Sequence, residues 1–258
     1  MLTSPNNRMT CRPEKSLFIL GEWVPPFAQD LPLVISGCRY DITCYDDTEF
    51  NTCGVPFCPT LEKAAFKRRA EYLAGRHCAG NALAQVGLVN QTVATGPHRC
   101  PIWPSRAKGS ISHTSDIAVA AVTREPVING VGIDIEAVVP DAMAEELARL
   151  VLTGDEHHLL ASTDDSKGLF FSSIFSIKES FFKAVFPLVQ GYFGFDAVEV
   201  TMLDPKTQRF QLRVQQDLHP GLVKGDCHQG NFLCHEGMVC SLFLLRERWC
   251  SAPRYGTA

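Results

Sequence analysis

The chain has 258 residues, a formal charge of −4 from 24 Lys and Arg against 28 Asp and Glu, 45% hydrophobic residues and eleven cysteines. At about 150 residues per domain this is one large domain or two small ones, and burying ~75% of the unfolded surface gives an ample core without staples. The acidic balance argues against a nucleic-acid or anionic-membrane surface as the main partner, since either needs a basic excess; only local basic clusters remain open.

The longest apolar runs, residues 117–122 and 238–245 (the latter interrupted by Ser241), fall far short of the ~18 residues that cross a bilayer, so no membrane span is expected. Residues 1–16 are polar, and residues 17–20 are too short for the apolar part of a secretion signal, which predicts a cytoplasmic protein. In that compartment the cysteines read as reduced thiols, several of them buried as small hydrophobes. Cys227, His228, Cys234, His235 and Cys240 are residue types that zinc takes, but paired CxxC or HxxxH spacings are missing, and buried strand thiols with surface histidines are the expected state.

Residues 1–58, rich in Pro, Cys and Asp, give little to read. Thr60 is expected to cap a helix that runs through Lys67, Arg68, Arg69 and Arg76 to about Val86, before Gly87. Residues 95–108, punctuated by Pro97, Pro101 and Pro104, read as loop. Residues 117–122 and 131–136 read as strands, and Thr153-Gly154-Asp155-Glu156 resembles a capping box opening a helix. A longer helix over 168–186 is expected to end at Pro187, with Phe171, Phe175, Phe182 and Phe186 as its core stripe. Beyond Asp196 the apolar spacing turns strand-like, at Val198/Val200/Met202, Phe210/Leu212/Val214 and residues 238–245. The class is α+β.

Four segments carry chemistry. In Val131-Gly132-Ile133-Asp134-Ile135-Glu136, strand alternation sends the branched residues to the core and puts both carboxylates together on the other face. Two neighbouring carboxylates repel unless a proton or a hard cation such as Mg²⁺ joins them; an ordinary half-exposed acidic strand is the plainer alternative. In Phe175-Ser176-Ile177-Lys178-Glu179-Ser180-Phe181-Phe182-Lys183, Glu179 and Lys183 lie one turn apart, either as a surface ion pair or as a carboxylate and cation at a cleft wall. In Trp103-Pro104-Ser105-Arg106-Ala107-Lys108-Gly109-Ser110-Ile111-Ser112-His113, a small-residue turn enters a strand and offers N–H and hydroxyl donors to a phosphate, beside a histidine that could equally be solvated. Arg69 and Arg76, seven apart, lie one above the other on a helix with Arg68 on the flank, as a phosphate-binding or simply solvated face.

In this order, a basic helix, W-P-x₅-S-I-S-H, G-I-D-I-E and F-S-x-K-E-S-x-x-K, the segments resemble the Sfp-type 4′-phosphopantetheinyl transferases, especially the enterobactin synthetase component D branch. The resemblance reaches from about Lys67 to Phe195 and includes Arg69-x-Glu71-Tyr72-Leu73-Ala74-Gly75-Arg76 and Phe186-Pro187-Leu188. It implies two similar α+β halves related by a pseudo-twofold, over 1–127 and 128–258, with the active site in the cleft between them.

The resemblance also implies coenzyme A as co-substrate, Mg²⁺ as cofactor, and an apo peptidyl, aryl or acyl carrier protein as partner. Asp134, Glu136 and Glu179 would hold the metal, with Asp134 also counted among the coenzyme A-binding residues. Ser112 and His113 would meet the nucleotide's 3′-phosphate end, and Arg68 or Arg69 with Arg76 would add phosphate cations. Lys183 would neutralise the pyrophosphate and assist the departing 3′,5′-ADP, and Glu179 would take the carrier serine's proton. The branch is expected to be monomeric and to serve siderophore, nonribosomal peptide or polyketide synthesis. A Mg²⁺-dependent nucleotide pyrophosphohydrolase and a non-catalytic coenzyme A-binding module are the alternatives. Two places depart from the pattern: Arg106 stands at a turn position where Gly is common, and Gly96-Pro97-His98-Arg99 matches poorly.

Overall fold

Residues 117–123 show no polar–apolar alternation because both faces of their strand are covered. Ala118, Ala120 and Val122 pack under a helix, while Ile117, Val119 and Ala121 pack against a second sheet. That strand is central to a computed structural model that describes residues 17–162 and 166–246. The elements are β1 (Ile19–Glu22), β2 (Val34–Tyr40), a one-turn α1 (Glu49–Thr52), α2 (Phe66–Gln85), β3 (Ala94–Thr95), β4 (Pro101–Ile102), β5 (Lys108–His113), β6 (Ile117–Thr123) and β7 (Ile128–Ala137). They continue with α3 (Asp141–Val151), α4 (Gly154–Ser162), α5 (Lys167–Val189), β8 (Val198–Asp204), β9 (Arg209–Val214), β10 (Cys227–His235) and β11 (Met238–Arg246).

Two antiparallel sheets result, ordered β1-β2-β6-β5 and β7-β11-β10-β9-β8, with β3 and β4 forming a small separate ladder. α2 covers the outer face of the first sheet and α5 the outer face of the second. Their inner faces meet through Ile117, Val119, Ala121, Val131, Ile133, Ile135 and Leu242. The layers are therefore helix, sheet, sheet, helix, and each half repeats one plan, in keeping with the pseudo-twofold α+β arrangement. The chain steps from one sheet to the other between Thr123 and Ile128. An earlier segment crosses back: Asn231 donates to Gln29 Oε1 (3.0 Å), and Trp23 Nε1 donates to Glu236 (3.2 Å).

Several local expectations need correction. Thr60 does not cap α2; it sits in a separate one-turn 3₁₀ segment, Pro59–Leu61, and α2 begins only at Phe66 with no side-chain cap. Arg69 serves that entry instead, donating to the carbonyls of Ala64 (3.1 Å) and Glu62 (3.0 Å). Pro187 does not end α5, which continues to Val189 and closes on left-handed Gln190. A proline denies a hydrogen bond to the carbonyl four residues back, a loss that the last turn of a helix tolerates.

The buried stripe of α5 is Phe171, Ile174, Ile177, Phe181, Ala184 and Val185; Phe175, Phe182 and Phe186 are only partly covered. Half of the capping box forms, since Glu156 accepts from Thr153 N (2.7 Å), while the Thr153 hydroxyl donates to Glu199 (3.2 Å) instead. Cys227 and Cys234 lie seven positions apart on β10, on opposite faces and roughly 23 Å apart at ~3.3 Å per strand residue, and Cys240 is buried, so they cannot share a metal. Nine cysteines fall among the described residues and none of them forms a disulfide with another; Cys11 and Cys250 lie outside those residues.

Candidate active site

The site forms where β5, the edge of one sheet, lies over β7, the edge of the other. Side chains of β5 alternate: Ile111 packs into the α2 core and His113 lies beside Arg68, whereas Ser110 and Ser112 face β7. On β7 the odd positions enter the inter-sheet core, and the even positions Gly130, Gly132, Asp134 and Glu136 look toward α5. Gly132 is required here: a Cβ would stand 1.7 Å from the Ser180 carbonyl oxygen, so the missing side chain lets α5 lie directly on the strand.

That close approach puts Lys183 against Asp134. Its Nζ donates to Asp134 Oδ1 (2.6 Å), Ser112 Oγ (2.9 Å) and the Ile133 carbonyl (3.3 Å). The Ser112 hydroxyl in turn donates to Asp134 Oδ1 (2.9 Å) and accepts from Ile135 N (3.3 Å). Residues of α5, β5 and β7 are thus tied at one point. Asp134 is 2% exposed, yet its Oδ2 has no hydrogen-bond partner among the described residues.

Burial pushes the Glu136 carboxyl up to about 7, and the negative charges of Asp134 and Glu179 push the same way against Lys183. Burial also raises Glu179, with Asp134 adding to it and Lys183 opposing. The i,i+4 ion pair between Glu179 and Lys183 does not form as such, because the lysine is drawn to Asp134. Among the described residues, no three His, Cys, Asp or Glu side chains converge as a ready metal-ligand set. An unpartnered, buried Asp134 oxygen beside two carboxyls whose charge is disfavoured is nevertheless a donor set suited to a hard cation.

Beside this knot opens a cavity of about 990 Å³ between α2, β5, the 95–103 turn and the end of α5. Arg68, Arg76, His113 and Lys183 line it, and Phe182, Phe186 and Tyr192 form an aromatic wall. Arg68 Nη1 lies 3.0 Å from His113 Nε2. The Arg76 guanidinium stacks over the Tyr72 ring at 4.7 Å and donates to the Ala94 carbonyl at 3.3 Å.

Arg69 is not brought to the cavity. Besides its two carbonyl partners it pairs with Asp47 at 2.7 Å, so of the two alternatives only Arg68 faces the site. Ser112 and His113, expected to act together, point to opposite faces of β5. Glu179 opens instead on a smaller neighbouring cavity of about 280 Å³, shared with Phe182, Tyr192 and Phe193.

Sequence reasoning missed His98 and Tyr192, whose rings meet at 5.3 Å across the two halves. His98 and Arg99 both hold left-handed backbone (φ 55° and 62°), which histidine adopts more readily than most side chains and arginine does not. The Arg106 departure has a clear basis, because that residue also sits at φ 69°, where glycine is the natural occupant.

Comparison with known proteins agrees with this geometry. Residues 59–123 match the 4′-phosphopantetheinyl transferase N-terminal domain, and residues 130–234 match the 4′-phosphopantetheinyl transferase superfamily. Enterobactin synthase component D of Salmonella typhi is 36% identical over 176 residues, 67% of this chain and 73% of that protein. Its Escherichia coli K12 counterpart is 40% identical over 130 residues, 50% of this chain and 61% of that one. The 4′-phosphopantetheinyl transferase PptT of Mycobacterium tuberculosis is 30% identical over 145 residues, 55% of this chain and 62% of that one. A solved structure, holo-[acyl-carrier-protein] synthase of Thermotoga maritima, aligns over 47% of this chain and 65% of that one at 26% identity and a TM-score of 0.35, a likeness on which nothing here rests.

The chain belongs to the 4′-phosphopantetheinyl transferase superfamily. It is a transferase that carries the phosphopantetheine arm of coenzyme A to a carrier protein. No helix among the described residues is long and apolar enough to cross a membrane.

Proposed function

We propose that the enzyme primes carrier domains of a siderophore or other nonribosomal peptide assembly line, with coenzyme A in the 990 Å³ cavity and Mg²⁺ held by Asp134, Glu136 and Glu179. The observation that carries the reading is the Lys183 ammonium, fixed to Asp134 and Ser112 at the seam while lining a cavity that Arg68, Arg76 and His113 also line. The relatives named enterobactin synthase component D support the siderophore assignment. Both walls of the cleft come from one chain, which supports a monomer, and we place the enzyme in the cytoplasm.

In this reading the cations near α2 bind the nucleotide phosphates and orient the pyrophosphate toward Lys183. Glu179, whose carboxyl burial raises above the usual carboxylate range, takes the proton of the carrier serine. The serine oxygen forms a bond to the β-phosphorus of coenzyme A as the bond to the bridging oxygen breaks, and 3′,5′-ADP leaves. Lys183 offsets the charge that gathers on that oxygen. A Mg²⁺ ion, when bound, supplies further positive charge beside the phosphoryl oxygens.

The test is to incubate the protein with Mg²⁺, coenzyme A and a panel of apo carrier domains and to weigh the carriers. A phosphopantetheine increment on the serine of peptidyl or aryl carriers is expected. Modification of fatty-acid carriers alone would overturn the siderophore assignment, and nucleotide release without a carrier would overturn the transfer reading.

A further inference from the structure

Among the described residues lining the large cavity, Glu71 is the one carboxylate, set among Lys63, Arg68, Arg76, His113 and Lys183. A negative charge there repels any phosphate that enters, so its presence needs a reason. The side chain is only 12% exposed, and its Oε2 lies 3.7 Å from Arg68 Nη1 and 3.9 Å from His113 Nε2; Lys67 Nζ lies 3.9 Å from Oε1. Arg68 Nη1 donates to His113 Nε2 at 3.0 Å, a bond that a neutral imidazole accepts and that fixes the guanidinium against the ring. Glu71 sits within 4 Å of both.

We propose that Glu71 is a positioning residue: it holds Arg68 beside His113, so that the pair selects a nucleotide bearing a 3′-phosphate. The proposal rests on the reading that the cavity takes coenzyme A. The charged groups around His113 are Arg68 and Glu71 from α2, Asp134 from β7 and Lys183 from α5. Burial, Arg68 and Lys183 disfavour the imidazolium, whereas Glu71 and Asp134 favour it. Without Glu71, Arg68, whose side chain is 40% exposed, is free to turn to solvent.

Calorimetric titration of the full chain with adenosine 3′,5′-bisphosphate and with 5′-AMP, between pH 6 and 8.5, tests this. Glu71→Gln is expected to weaken the bisphosphate by roughly tenfold, the loss of one charge-assisted phosphate contact from Arg68, while 5′-AMP is unchanged. Glu71→Asp should recover part of the loss. In turnover the KM for coenzyme A should rise with kcat preserved.

A merely structural role would lower the melting temperature and weaken both nucleotides alike at every pH, and that result overturns the proposal. So does tighter bisphosphate binding by Glu71→Gln, which is what simple removal of a negative charge would give. If the wild type binds neither nucleotide, the coenzyme A reading of the cavity falls and takes this proposal with it. If it binds the bisphosphate with the expected Glu71 dependence but modifies no carrier, the carrier assignment falls and the role of Glu71 stands.

Discussion

Asp134 meets Lys183 and Ser112 through one oxygen, and its other, buried oxygen has no hydrogen-bond partner among the described residues. Glu136 has a related imbalance. Its folded-state carboxyl is pushed up to about 7, above the ~4.3 of an unfolded chain, so the folded protein holds this proton more tightly. The stability from that difference is complete below the unfolded value and is lost as pH rises through about 7. The metal-free protein is therefore expected to lose melting temperature between pH 4.5 and 7.5, and Glu136→Gln to flatten that loss. Melting curves across this range check it, and added Mg²⁺ should restore stability at pH 8.

Glu179→Gln and Lys183→Met should each lower turnover by about 10²–10⁴-fold without unfolding the protein, measured by carrier mass shift alongside circular dichroism. Arg106, at φ 69°, carries a backbone cost of roughly 1–2 kcal/mol. Arg106→Gly should relieve part of it and raise the melting temperature, by an amount reduced by glycine's greater freedom in the unfolded chain.

At the scale of elements, α5 is held by two different devices. Near the site it lies bare against β7 through Gly130 and Gly132, where a Cβ would approach the Ala184 and Ser180 carbonyl oxygens to 2.0 and 1.7 Å. Gly132→Ala must push the helix away, at a cost of about 1–3 kcal/mol or more, and should lower both stability and turnover because Lys183 moves with the helix. Further back, Lys178 and Glu156, both fully buried, pair at 2.7 Å; Lys178 also donates to the Val151 carbonyl, and Val200 N donates to Glu156. Removing one partner of a buried pair typically costs 3–5 kcal/mol, so Lys178→Met is expected to destabilise the chain by about that much in urea titration.

The sequence announced α5 through its apolar spacing but misplaced the buried stripe, because Phe182 and Phe186 line a cavity wall and small residues make the closest contacts. It placed Asp134 and Glu136 on the face opposite the branched residues, as the structure has them. It could not show that Ser112 and His113 part company across β5, since that depends on which face of an edge strand each half claims. Nor could it choose between Arg68 and Arg69, because the loop carbonyls and Asp47 that engage Arg69 become its neighbours only in the folded chain.

Across the whole molecule, the family motifs made the two-half plan readable from about residue 67 onward, whereas the first part of the chain carried no such pattern. Its contribution lies in long-range contacts: β1 and β2 complete the first sheet, and the crossing segment hydrogen-bonds to the far half through Ala28 and Gln29, partners of Gln208 and Thr207. Side-chain bonds of this kind follow no local periodicity.

The doubly covered strand β6 couples the two halves in a way that local stability makes measurable. Its amides pair with β2 and β5, and its side chains pack under α2 on one face and against the second sheet on the other, so opening either half strips away one of its covers. In hydrogen–deuterium exchange its amides should be released only by global unfolding, together with those of β7, and as one cooperative unit. The two walls of the cleft then share a single unfolding free energy, and a destabilising change in either half should accelerate exchange in both.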